Sequence, residues 1–159
     1  MNDDVKRLSG QAHVVSHADS SPFLPGGLRS CFEYRHFGVK DATNGKYEAF
    51  VQRALPGGER DDGWHYHELD FHLLYILSGW ITFEYEDTGI TTLRAGSCVL
   101  QPSGLRHRAI KHSDDFQMLE SDSNRVCNAI SMVQLTRRAF DEGSRRGQTA
   151  RHELDAGNI

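Results

Sequence analysis

Short runs of β-branched and aromatic residues, separated by residues that favour tight turns, follow one another along the middle of this sequence. The runs cover residues 31–39, 47–55, 71–77, 80–86, 91–94, 98–101, 107–111 and 116–120. Asn44-Gly45, Ser78-Gly79 and Ala95-Gly96 are among the turn signals between them. Strands this short, at this spacing, are typical of an antiparallel sandwich or barrel. The pattern therefore predicts an all-β fold.

The length of 159 residues allows one domain with its own core and with tails. Residues 1–29 are polar and contain turn-forming segments such as Pro25-Gly26-Gly27, which favours an N-terminal arm. We expect the barrel to cover residues 30–135. Residues 136–159 are expected to form a C-terminal tail or a short helix.

Charge and hydropathy argue against several classes of function. The net charge is -4 and the basic residues are mostly dispersed, which argues against nucleic-acid binding. No apolar run approaches the roughly 18 residues that a membrane span needs, so no membrane partner is expected. Residues 1–10 lack the apolar stretch of a signal peptide, and the three cysteines are widely spaced and odd in number. We expect a cytoplasmic protein.

Four of the nine histidines fall into two clusters at strand edges. In the first cluster, His65 and His67 are separated by one residue, and His72 opens the next strand. Because side chains alternate in an extended chain, His65 and His67 project to the same face and can bind one ion together. After His67 come four residues, His72, six more residues and then Gly79.

The second cluster ends at His107. It begins at Gly96, followed by five residues, then Pro102-x-Gly104, two residues and His107. In order and spacing, these two segments resemble the two conserved motifs of the cupin superfamily, over roughly residues 47 to 120. The resemblance implies a double-stranded β-helix, or jelly-roll barrel, of the small single-domain RmlC-like type.

Three positions depart from the cupin pattern. His72 stands where glutamate is usual, Glu59 stands where the leading glycine of the first motif is expected, and Lys111 replaces an asparagine. By the resemblance, the ligands of one divalent transition metal are expected to be His65, His67, His72 and His107. Imidazole donors suit iron, manganese, nickel, zinc or copper, so the donor set does not choose the ion.

The replacement at His72 predicts a change in charge at the site. Four neutral imidazoles leave a bound dication uncompensated by protein ligands, which favours an anionic or enolisable substrate. Isolated histidines in β-proteins are usually surface or core residues, and we interpret the other five in that way. Four imidazoles that converge inside a barrel would instead be costly to desolvate without an ion.

The Ser78-Gly79 turn predicts a hairpin in which Leu77 pairs with Trp80 and His72 lies across from Tyr85. By alternation, one face of this hairpin would form a ligand pocket next to the metal. Its members would be His72, Leu74, Ile76, Ile81, Phe83 and Tyr85, of which Tyr85, Phe83 and Ile81 are the candidate substrate contacts. A one-residue slip in register would remove Tyr85 from the pocket.

The opposite face of the same hairpin is too apolar to stay in contact with water. It carries Phe71, Leu73, Tyr75, Leu77 and Trp80. Another sheet, the N-terminal arm or a second subunit must cover it, and we expect a homodimer.

Two functions are compatible with such a site. One is a metal-dependent enzyme that acts on a small oxygenated organic molecule, by dioxygenase, isomerase or lyase chemistry; the other is a noncatalytic metal-dependent domain that binds or senses a small ligand. No residue is assigned a catalytic role, and the fold supports both functions. A third hypothesis is a structural dimerisation unit whose histidines bind nothing. The enzyme hypothesis predicts that the pocket contains a further polar group in addition to the four histidines.

Overall fold

The computed structural model describes residues 7–25, 31–56 and 63–123. Within these ranges the chain forms ten strands and one four-residue helix. In chain order they are β1 (Arg7–Leu8), β2 (Gln11–Ala12), β3 (Phe32–His36), α1 (Val39–Ala42), β4 (Tyr47–Ala54), β5 (His72–Ser78), β6 (Trp80–Tyr85), β7 (Gly89–Arg94), β8 (Cys98–Leu100), β9 (His107–His112) and β10 (Gln117–Ser123). The prediction of an all-β chain is confirmed.

The strands form two facing antiparallel sheets and a small hairpin. A five-stranded sheet has the order β3-β4-β10-β5-β8, a three-stranded sheet has the order β7-β6-β9, and β1 pairs with β2. The core is formed by both inner faces: Ile76 of β5 and Met118 of β10 come from the larger sheet, and Ile81 and Phe83 of β6 from the smaller one. Two sheets that bury their inner faces against each other are the architecture of a jelly roll.

All eight predicted runs overlap a strand, and the first run also contains the start of a helix. That run was predicted to extend over residues 31–39, but β3 ends at His36 and α1 begins at Val39. Gly38 lies between them with φ of 75°, a left-handed conformation that glycine adopts easily. The chain turns there, which the β-branched residue at position 39 did not indicate.

The predicted hairpin at Ser78-Gly79 is wrong. β5 pairs with β10 and β8, whereas β6 pairs with β7 and β9, so Leu77 does not pair with Trp80 and His72 does not pair with Tyr85. At Gly79 the chain crosses from one sheet to the other, close to the backbone of Phe116, where a Cβ would lie 2.9 Å from the Phe116 Cα. A turn signal in the sequence does not distinguish a hairpin from a crossing between sheets.

The prediction of which residues face inward survives this correction, because alternation continues along each strand on either side of the crossing. All six residues of the predicted inner face are buried: His72, Leu74, Ile76, Ile81, Phe83 and Tyr85. On the outer face, Phe71, Tyr75 and Leu77 are 42%, 39% and 46% exposed. This apolar outer face is where a second subunit was expected, and the homodimer stays a prediction.

The described part of the N-terminal arm contains the β1–β2 hairpin and a bridge between Leu24 and Tyr34. The predicted end of the barrel at residue 135 and the tail over residues 136–159 lie outside the described residues. In the ranges that the structure covers, no helix has the length and apolar character needed to cross a bilayer.

Candidate metal centre

Three of the four predicted histidines converge inside the barrel, and we call His65, His67 and His107 the histidine triad. Their candidate ligand atoms all lie within 4.8 Å of one another. The ring centroids are 4.4 Å apart for His65 and His107, 5.2 Å for His65 and His67, and 5.4 Å for His67 and His107. Three imidazoles at this spacing can hold one metal ion.

Backbone hydrogen bonds bring the two sequence clusters together. The His65 amide donates to the His107 carbonyl over 3.0 Å, and the His107 amide donates to the His65 carbonyl over 2.9 Å. The turn before β9 contributes as well, because the Gly104 amide donates to the His67 carbonyl over 2.9 Å. The Pro102-x-Gly104 segment therefore fixes the position of His107 relative to the H-x-H pair, which explains why its spacing carries information.

The hydrogen bonds of two triad rings set which nitrogen carries the proton. Nδ1 of His65 is 3.0 Å from the Gly63 carbonyl oxygen, and Nδ1 of His107 is 2.9 Å from the Leu105 carbonyl oxygen. A carbonyl oxygen only accepts, so each neutral ring holds its proton on Nδ1 and its lone pair on Nε2. Metal-binding histidines are commonly oriented by such a bond from the nitrogen that does not bind the ion.

His72, the fourth predicted ligand, lies in the same cavity but outside the group of three. Its ring is 4.7 Å from that of His67, and its Nε2 lies 2.8 Å from Oε1 of Glu120 on β10. Nδ1 of His72 is buried and makes no hydrogen bond within the described ranges. The structure thus pairs His72 with a carboxylate and leaves its role as a ligand a prediction.

The cavity between the sheets combines apolar and polar side chains. It has a volume of about 80 Å³, enough for several water molecules or a small ligand. Ile81 and Phe83 line it, as the sequence predicted. Besides the four histidines, its lining includes the polar residues Gln52, Gln101 and Glu120.

Tyr85, the third predicted substrate contact, lies behind the cavity rather than along it. Its ring is 5.8 Å from that of His107, and its hydroxyl oxygen accepts a 3.0 Å hydrogen bond from Nε2 of Gln101. Burial raises the pKa of Tyr85, and the bond from Gln101 offsets this in part. The hydroxyl group therefore stays protonated at neutral pH and holds the Gln101 amide in place.

Sequence reasoning missed Glu120 and Gln101. Both residues end predicted runs, and Glu120 lies at even spacing from the buried residues Phe116 and Met118. A carboxylate on the apolar face of a strand is a signal that could have identified Glu120. Gln101 gives a weaker signal, because it follows an edge strand of alternating exposure.

The structure also corrects the charge that was predicted for the site. Glu120 brings a carboxylate into the cavity, so the positive charge of an ion bound there would not be uncompensated as the four-histidine set implied. Further along β10, burial is the main cause that raises the pKa of Asp122 from 3.8 to about 6, with the negative charge of Glu120 as the second cause. The carboxylate of Glu120 therefore contributes to the raised pKa of Asp122 on the same strand.

Comparison with protein families identifies the fold. Residues 51–120 match the family model described as "Cupin domain". The chain contains a cupin domain. The match spans both histidine clusters, so the cupin domain includes the whole triad and also His72 and Glu120.

Solved structures share the fold of this cupin domain at low sequence identity. KdgF from Halomonas sp. is 16% identical with a TM-score of 0.55, over 72% of this chain and 95% of that one. FeII HppE is 16% identical with a TM-score of 0.54, over 74% and 62%. A sugar phosphate isomerase from a cupin superfamily, from Silicibacter pomeroyi, is 17% identical with a TM-score of 0.52, over 67% and 73%. No curated protein sequence matches this chain.

Proposed function

We propose that this cupin is a metal-dependent enzyme that acts on a small oxygenated organic molecule. The observation that carries the proposal is the histidine triad, whose donor atoms converge within 4.8 Å at the wall of an internal cavity. In the proposal, His65, His67 and His107 hold one divalent transition metal. The donor set is compatible with iron, manganese, nickel, zinc or copper.

A metal held there would act as a Lewis acid or as an oxygen-activating centre. The chain's own residues would do the remaining work. Gly63 and Leu105 hold the rings of His65 and His107 through their carbonyl groups, so the donors are oriented before any ion binds. Ile81 and Phe83 exclude water from one side of the cavity.

The polar lining favours an enzyme over a domain that only binds. An enzyme needs polar groups within reach of the substrate besides the ligands, and Glu120, Gln52 and Gln101 lie in the same cavity as the triad. Two of the proteins that share the fold support the proposal: one is FeII HppE and another is a sugar phosphate isomerase. Isomerase, dioxygenase and lyase chemistry are all compatible with this site.

Metal analysis of protein purified without a nickel column tests the proposal. We expect close to one equivalent of a transition metal per chain, measured by inductively coupled plasma mass spectrometry. His107→Ala should lose it, whereas His36→Ala should keep it, because the His36 side chain is 58% exposed and pairs with Glu48 away from the cavity. Less than about a tenth of an equivalent in well-folded wild-type protein would disprove the proposal.

Turnover separates the enzyme from the binding domain. Oxygen uptake and product formation with a panel of diketones, catechols, hydroxy acids and keto acids should reveal at least one substrate of the metal-loaded protein. Binding of panel members without turnover of any of them would favour a noncatalytic sensing domain.

The same proposal includes a cytoplasmic homodimer. The support for a second copy is the apolar outer face of β5, where Tyr75 and Leu77 are exposed. Light scattering on the eluted protein should give twice the mass of the chain, and Leu77→Lys should reduce it to the mass of one chain. A monomeric wild-type protein would contradict the dimer without affecting the metal centre.

A further inference from the structure

Two buried polar atoms of the cavity residues have no hydrogen-bond partner among the residues that the structure describes. They are Oε1 of Gln101 and Nδ1 of His72, and neither makes a hydrogen bond within the described part of the chain. Both side chains are only 3% exposed, and both line the cavity. Buried polar atoms without a partner are rare, because burial removes their hydrogen bonds to water and the free energy of those bonds is lost when nothing replaces them.

The two residues are neighbours on adjacent parts of the larger sheet. The Gln101 amide donates to the His72 carbonyl over 2.9 Å, directly beyond the Leu73–Leu100 pair of β5 and β8. Their side chains therefore belong to the same region of the cavity, which also contains Glu120.

Each side chain is held from its far end. Nε2 of Gln101 donates to the Tyr85 hydroxyl oxygen over 3.0 Å, and Nε2 of His72 lies 2.8 Å from Oε1 of Glu120. We call these four residues the paired wall. Because Glu120 accepts, the proton of a neutral His72 ring is on Nε2 and Nδ1 presents a lone pair. The unpartnered atoms of Gln101 and His72 are thus both hydrogen-bond acceptors.

We propose that Gln101 and His72 form a hydroxyl-binding subsite beside the metal centre. Two buried acceptors require donors, and the O–H groups of a small ligand supply them. The ligand class is a hydroxylated organic acid or polyol that binds the ion through one or two oxygens and directs further hydroxyl groups at Gln101 and His72, each donating to one acceptor. Diketones and simple keto acids, which carry no such hydroxyl group, fit this wall less well. This inference rests on the proposed function, because the triad must hold an ion.

Binding of two matched acids to the cobalt(II)-loaded protein tests the subsite. Lactate and glycerate share the α-hydroxy carboxylate that chelates a metal, and glycerate has one more hydroxyl group. We expect glycerate to bind about tenfold more tightly than lactate, as measured by changes in the visible absorption bands of the cobalt ion. Gln101→Met removes the acceptor at similar volume and should bring the two affinities within about twofold.

Two further variants keep the test independent of folding. Tyr85→Phe removes the group that holds Gln101, and it should lower the preference for glycerate while lactate binding stays unchanged. Thr82→Val is the matched control, because Thr82 is buried and bonded to Thr92 outside the cavity, and its preference should equal that of wild type.

The outcomes separate the subsite from the metal centre. Failure of the protein to take up cobalt would refute the proposed function and with it the subsite. Uptake of cobalt with equal binding of the two acids by wild type, with binding of neither, or with an unchanged preference in Gln101→Met would refute the subsite alone.

Discussion

The histidine triad and the cavity-lining members of the paired wall share one cavity and are held in different ways. The triad rings of His65 and His107 bond to backbone carbonyl groups two residues earlier, whereas His72 and Gln101 bond to the side chains of Glu120 and Tyr85. A backbone partner close in sequence is fixed by the local fold. A side-chain partner can change with a single substitution. The difference suggests that the triad is the constant part of the site and the paired wall is the part that sets selectivity.

The largest expected effect distinguishes a triad histidine from His72. His107→Ala should weaken zinc binding by at least about 100-fold, because it removes one of three donors, whereas His72→Ala should weaken it by less than about tenfold. Competition with a chromogenic chelator measures both affinities. Equal losses in the two variants would show that His72 is a ligand and would restore the four-histidine set predicted from the motif.

The next largest effect concerns the pKa of Asp122, which the negative charge of Glu120 in the paired wall helps to raise. Its pKa is raised to about 6 from 3.8, so between these values the folded protein binds more protons than the unfolded chain, and the contribution of Asp122 to stability falls as pH rises. Asp122→Asn removes the ionisable carboxyl group, and with it this loss of stability at higher pH. Because the carboxyl group keeps partial contact with solvent, we expect the variant to gain only about 1 kcal/mol relative to wild type between pH 4 and pH 7.

Urea denaturation of the metal-free protein at the two pH values measures this gain. Asp87→Asn, in the exposed turn between β6 and β7, serves as the control. A difference between Asp122→Asn and wild type that does not change with pH would show that burial does not raise this pKa.

The smallest effect concerns the support of Gln101. Tyr85→Phe should lower the free energy of unfolding by about 1 kcal/mol, because it removes one buried hydrogen bond to the Gln101 amide. Zinc affinity should be unchanged, since the rings of Tyr85 and His107 are 5.8 Å apart and the substitution keeps the Tyr85 ring. Thermal unfolding and the chelator assay test both parts, and a loss of zinc affinity would mean that the paired wall also orients the triad.

Much of the fold could be predicted because its signals are local. Alternation placed Leu74, Ile76, Ile81 and Phe83 on the inner face, and they are buried. The same reasoning placed Leu77 opposite Trp80, which is wrong, because the turn at Gly79 carries the chain to the other sheet. Local periodicity specifies a side chain's face, but it does not specify which strand lies next to it.

The candidate site divides in the same way. The H-x-H spacing and the Pro102-x-Gly104 turn are local, and the triad they indicated does converge. Glu120 was missed because it meets His72 from a strand 48 residues further along the chain. Tyr85 was placed in the pocket from its face alone, whereas its contact with Gln101 puts it behind the lining.

The sequence by itself determined the all-β class, the inner face of each central strand and three of the four histidines that were predicted to meet at one point. These follow from alternation and turn chemistry, which act over a few residues. Only the tertiary structure decided which sheet each strand joins, and that His72 pairs with Glu120 and Gln101 with Tyr85. Such pairings depend on the packing of strands that are distant in sequence, and no short-range pattern encodes them.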